Sequence, residues 1–249
     1  MSDFQSAFLY PIGVAIVNFI SVKVYNRLNS SPKNYFWKDK FDDLKDYKPN
    51  LSFDELKRRT RIVVIDDENS FPISLFRGEG YAIDKWSKVT DYNKLQSGVY
   101  DIIILDIKGV ALHISEEDGL GVLQSIKNYN PAQIIIAYSQ HSFDLSKAKF
   151  WELADETIAK PSDFLKMKAT IDNIILNQFQ PERYINIMHD ILLKNHYSNK
   201  DIRKIDIHLI RNIKDKTTPN WNSVFESAIT TPELFIKLQA VASTILKLY

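Results

Sequence analysis

Arg61-Ile-Val-Val-Ile-Asp-Asp67 decides the fold. Four β-branched apolar residues run without a break and stop at two adjacent carboxylates. Such a run reads as a strand buried on both faces, the pattern of a parallel sheet. Acids at its carboxyl end stand where open α/β sheets hold ligands. The plan recurs along the chain. Ile102-Ile-Ile-Leu105 ends at Asp106, Ile134-Ile-Ile-Ala137 ends at Tyr138-Ser139, and the weaker Thr157-Ile-Ala159 ends at Lys160-Pro161. Four strand ends thus deliver a carboxylate pair, a carboxylate, a hydroxyl and an ammonium to one edge.

The surrounding segments alternate. Ser52-Phe-Asp-Glu55 is a capping box that opens a short helix to about Arg59. Ser70 is placed to cap a helix through Phe76, with Pro72 in its first turn. Tyr81 to Val89 reads as a further strand, followed by a short helix near Tyr92–Gln96. Helices are expected at Gly119 to about Asn128 and Phe143 to about Leu153. Another follows Ser162, with Phe164, Leu165, Met167, Ile171, Ile174 and Ile175 at helical spacing. Five βα units over residues 61–178 suit a doubly wound α/β sheet. Residues 181–249 read as an all-helical module with segments at about Tyr184–Lys194, Lys200–Lys214 and Pro232–Leu248. Its ten basic against seven acidic side chains give too weak an excess to imply DNA binding.

Bulk numbers exclude several chemistries. The 249 residues carry 32 basic and 31 acidic side chains, so charge exerts no global pull toward nucleic acid. With no cysteine, disulfides, thiol catalysis and thiolate metal sites are absent. No phosphate loop of the Gly-x-x-x-x-Gly-Lys type occurs.

Residues 1–25 hold an apolar run from Phe8 to Val22, broken only by Asn18 and Ser21, with Pro11 and Gly13 near its start. A spanning helix needs roughly 20 apolar residues, with about 17 as the lower limit. The run reaches that length if Lys23 snorkels and Val24 and Tyr25 count. The expectation is a single-pass anchor in the inner or cytoplasmic membrane, with the rest of the chain facing the cytoplasm. The alternative is a helix buried against protein in a cytoplasmic chain. Residues 26–60 read as a linker containing one short helix.

Three clustered carboxylates repel one another unless a cation neutralises them. An all-oxygen set without His or Cys favours a hard ion such as Mg2+. Asp67 and Asp106 would ligate it directly, Asp66 through water, and the Lys108 backbone carbonyl would complete the protein side. Such a site suits phosphoryl transfer, with Asp106 as the phosphoacceptor and Lys160 and Ser139 contacting phosphoryl oxygens. The five histidines (113, 141, 189, 196, 208) show no metal spacing. A phosphotransfer role for His189 or His208 on the C-terminal helices stays open.

Asp66-Asp67, Asp106, Ser139 and Lys160-Pro161, in that order on successive strand ends, resemble the response-regulator receiver domain of two-component and phosphorelay signalling. The resemblance covers residues 61–178, slightly under half the chain. It implies a flavodoxin-like sheet of order 2-1-3-4-5, a cis peptide before Pro161, and phosphotransfer from a histidine kinase or phosphotransfer protein. It also implies a phosphoacceptor with at most self-catalysed transfer and hydrolysis, not an enzyme acting on other substrates. The output would pass through a downstream protein, with no nucleic acid expected. The alternative is a pseudo-receiver that scaffolds a membrane-associated complex without phosphotransfer. Two departures stand out. Gly119 follows Asp106 by thirteen residues, and the long intervening loop reads as an inert surface segment, with phosphate shielding or partner docking as the other readings. Thr157 occupies the family's switch-aromatic position. Tyr138 and Trp151 lie nearby, each read first as a packing residue.

Overall fold

The computed structural model describes residues 44–46, 51–140, 148–225 and 231–249. Residues 43–249 form one compact unit. Strands β1 (Arg61–Ile65), β2 (Ala82–Trp86), β3 (Ile102–Leu105), β4 (Ile134–Ser139) and β5 (Glu156–Ala159) make a parallel sheet of order 2-1-3-4-5. Helices are α1 (Phe53–Arg59), α2 (Ile73–Gly78), α3 (Tyr92–Gln96), α4 (Gly119–Tyr129), α5 (Ala148–Leu153) and α6 (Phe164–Asn177). Then come α7 (Pro181–Lys194), α8 (Asn199–Asp215), α9 (Trp221–Phe225) and α10 (Pro232–Leu248).

The apolar runs behave as their composition dictates. Every residue of β3 and β4 is buried, as are Ile62 to Ile65 of β1, whereas the edge strands β2 and β5 are partly exposed. Side chains alternate between faces. Ile62, Val64, Ile102, Ile104, Ile134 and Ile136 join one core cluster, and Val63, Ile65, Ile103, Leu105, Ile135 and Ala137 the other. The Ser52 capping box is formed, and Thr231 caps α10 with Pro232 in its first turn. Two caps differ from expectation. Asp163, not Ser162, accepts the Lys166 amide at the start of α6, and α2 has no side-chain cap because Ser70 is engaged elsewhere. Pro181 opens α7 at its first turn, and the short helix α9 was not anticipated.

The first cluster does not stop at α6. It runs on through Tyr184, Ile185, Met188 and Leu192 of α7, Ile205 and Leu209 of α8, and Leu238, Val241 and Ile245 of α10. Leu44, in a 3-10 turn within the stretch read as linker, is fully buried in it. Asp101 before β3 and Asp155 before β5 latch the same helices to the sheet's amino edge. Lys247 of α10 donates to Asp101 (2.6 Å), whose other oxygen accepts the Arg61 amide (2.8 Å). Arg183 of α7 donates to the Ala132 carbonyl (2.9 Å) and to Asp155 (3.1 Å). Burial pushes the Asp101 carboxyl up from its ordinary range, against the pull of Lys247.

The expected spanning helix in residues 1–25 lies outside the described residues, as do residues 143–147 of the expected 143–153 helix. Among the described residues no helix is long and apolar enough to cross a membrane. The single-pass membrane placement is therefore corrected. Physically, the run met the length requirement only by counting across Lys23 and tolerating Asn18 and Ser21.

One continuous core implies one cooperative unit. Met188→Ala, at a fully buried position in α7, should cost about 2–5 kcal/mol. Near-UV and far-UV unfolding transitions should shift together. Separate midpoints would show that sheet and C-terminal helices unfold independently.

Candidate functional site

The carboxyl edge of the sheet gathers the charged groups. Asp66, directly after β1, is fully buried, and Asp67 beside it is exposed. Asp106 follows β3 and is buried, Ser139 is buried at the end of β4, and Lys160 is buried after β5. The Lys160–Pro161 peptide is cis, as the resemblance implied.

Lys160 Nζ donates to Asp66 Oδ1 and to Asp106 Oδ2, each at 2.5 Å, and lies 4.6 Å from the centre of the Tyr138 ring. Asp106 Oδ1 accepts the amide of Ile107 at 2.7 Å and that of Lys108 at 3.4 Å. Burial lifts the Asp106 carboxyl above its ordinary range, while the Lys160 hydrogen bond opposes the lift. For Lys160, burial acts downward, but the two carboxylates outweigh it and its pKa ends raised. Oxygens of Asp66, Asp67 and Asp106 all lie within 4.8 Å of one another. The backbone leaves room for them: a Cβ at Gly109, where φ is +78°, would meet Asp67 Oδ2 at 2.2 Å. The hard oxygen set and this cradle fit a small divalent cation.

Other residues of the site escaped the sequence reading. Lys85 of β2 donates to Asp66 Oδ2 at 2.7 Å, to the Glu68 carbonyl at 2.6 Å and to the Asp66 carbonyl. The pairing of Val64 with Lys85 places it one step from the acidic edge, a signal visible only once the register is known. Ser70 bonds the Tyr138 hydroxyl at 3.0 Å instead of capping α2. Tyr138 is fully buried, packed edge-on to Phe71, and Trp151 packs against Phe150 in the second cluster. Thr157, at the switch position, is exposed. His189 Nε2 lies 2.9 Å from Asp206 Oδ1, a contact between α7 and α8.

The long loop after Asp106 is built into the domain. Val110 and Ala111 are fully buried in the second cluster. His113 Nε2 meets the Val89 carbonyl at 2.7 Å, and the Val89 amide donates to the Val110 carbonyl at 2.8 Å. Asp118 accepts the amides of Gly109 and Ala111, each at 2.6 Å. Its backbone (φ 53°, ψ −130°) is unfavourable for a residue with a side chain, a strain these two bonds offset. The apolar tips Leu112 and Ile114 are exposed.

A parallel 2-1-3-4-5 sheet with an acid pair, an acid, a hydroxyl and a lysine followed by cis-proline on its carboxyl edge is the arrangement that the receiver resemblance implies. No family model matches the chain. The transcriptional regulatory protein ZraR of Klebsiella oxytoca is 28% identical over 119 residues, 46% of this chain and 26% of that protein, so the chain spans about a quarter of that relative's length. Among solved structures, a CheY-like response regulator receiver domain protein from Methanospirillum hungatei is 18% identical with a TM-score of 0.41, covering 48% of this chain and 95% of that one. A two-component response regulator from Clostridium difficile is 24% identical with a TM-score of 0.39, covering 47% and 95%. Response regulator TrrA of Thermotoga maritima, solved in complex with Mg2+–BeF, is 30% identical with a TM-score of 0.38, covering 46% and 98%.

Asp118→Asn keeps the side chain's size but replaces one acceptor oxygen with a donor. One of the two stapled amides then loses its partner, at a cost of about 1–3 kcal/mol. Hydrogen exchange at Gly109 or Ala111 should accelerate while Ile104 in β3 stays protected. Unchanged exchange at both amides would show that the staple does not hold the loop.

Proposed function

We propose that this chain is a response-regulator receiver protein whose Asp106 accepts a phosphoryl group from a histidine kinase or phosphotransfer protein. The carrying observation is Lys160, whose ammonium bridges Asp106 and Asp66 across the sheet edge. An Asp106 oxygen attacks phosphorus as the donor bond breaks, and the leaving group departs with the bonding electron pair. Lys160 keeps the buried carboxylate in its charged, nucleophilic form and then moves its hydrogen bond to a phosphoryl oxygen. Ser139, buried at the end of β4, would donate to a second oxygen. Asp66, Asp67, Asp106 and the Lys108 carbonyl would hold Mg2+, with Asp66 acting through water. When bound, that ion supplies charge neutralisation for the incoming phosphoryl group. Phosphorylation would change a protein-docking surface near α5 and β5, with no aromatic at Thr157 to take part in the relay.

Intact mass of the full chain, incubated with Mg2+ and a small phosphodonor or a phosphorylated histidine donor, tests this reading. The parent should gain a hydroxylamine-labile phosphate and Asp106→Asn should gain none. Ser139→Ala should slow incorporation by roughly 10²-fold, the scale of losing one preorganised donor. No incorporation from either donor would overturn the assignment.

A further inference from the structure

Lys85 is not required by the phosphoryl chemistry, because Lys160 already meets both Asp66 and Asp106. Yet its ammonium is fully committed. Its three donors point to three oxygens of the turn after β1: a carboxylate oxygen and the carbonyl of Asp66, and the carbonyl of Glu68. Lys85 and Lys160 thus divide the two oxygens of the fully buried Asp66 between them. That is the coordination a small cation would seek in this turn, met instead by a side chain from the neighbouring strand.

Charge counting gives the consequence. Three carboxylates facing Lys160 alone would leave two negative charges, which a divalent ion cancels. With Lys85 present only one remains, apart from Glu68, whose half-exposed carboxylate stands 3.8 Å from Lys160 and is screened by water. An arriving divalent ion meets a second ammonium within the same pocket and gains less from the acids.

We propose that Lys85 is a built-in counter-cation of the acidic pocket: it holds Asp66 and the following turn in place without a metal, and it weakens divalent-cation binding. The proposal rests on reading the pocket as a divalent-cation and phosphoryl site. It makes Lys85 a positioning residue that sets the Mg2+ concentration at which the pocket fills. Asp67, exposed and untouched by either lysine among the described contacts, is left as the carboxylate that faces the ion.

The test is calorimetric titration of Mg2+ into the full-length parent, Lys85→Met, Lys85→Gln and Lys85→Arg, with melting temperatures recorded in Mg2+ and in chelator. Both neutral variants should bind Mg2+ about tenfold tighter than the parent. They should melt below it in chelator and gain more from added Mg2+, while Lys85→Arg should behave as the parent. Lys85→Gln keeps a hydrogen-bond donor, so it reports affinity even where Lys85→Met is too unstable. Binding by the neutral variants alone would also support the proposal. Equal or weaker binding in them than in a parent that binds would overturn it and leave the site reading intact. Absence of binding in every protein would overturn it, and loss of phosphate incorporation as well would overturn the site reading too.

Discussion

A buried ammonium between two buried carboxylates is the constraint on which the carboxyl edge depends. Lys160, Asp66 and Asp106 are all under a tenth exposed, so each needs the others to remain charged. Removing one member of such a group typically costs about 3–5 kcal/mol, because it strands an uncompensated charge. The contact follows the strand order. Lys160 leaves β5 and must cross the end of β4 to reach β3 and β1, and it does so over the Tyr138 ring.

The opposite edge is organised by the same kind of group for another purpose. Asp101, Gln133 and Asp155 each precede a strand, where backbone groups would otherwise end without partners. Asp101 takes Arg61 and Lys247, Gln133 donates to the carbonyls of Tyr100 and Asp101, and Asp155 takes Lys127, Arg183 and the Ile135 amide. The C-terminal helices are therefore tied to strand beginnings, while the acidic cluster sits at strand ends. Their apolar faces continue the core below α6, so α7 to α10 cover surface that the sheet and α6 leave exposed.

The strands were legible because burial on both faces forces uninterrupted apolar runs, and each run stops where the chain meets a polar edge. Asp66, Asp106 and Lys160 were legible for the same reason, each being the first polar residue past such a run, with Asp67 and Ser139 one position further on. Lys85 was not, since β2 is an edge strand whose mixed pattern hides its register. Ser70 read as a helix cap because its sequence setting is that of a cap, and only the fold brings the Tyr138 hydroxyl to it. Leu44 read as linker because a single buried residue carries no periodicity.

The loop after Asp106 is held at both ends beside that carboxylate. Ordering each extra residue costs about 1–2 kcal/mol of backbone entropy. Two apolar residues in the core, the His113 contact and the Asp118 staple oppose that cost. The staple ends next to Gly119, where a Cβ would meet the Asp106 carbonyl at 2.2 Å. The Gly119 amide donates to the Ile107 carbonyl at 3.1 Å. Both ends of the insertion thus close on the backbone that carries Asp106. A looser loop would transmit its motion to the carboxylate, whose position sets any in-line approach. The extra length is tolerated at this point because the loop's fixed ends, not its exposed tip, determine where Asp106 stands.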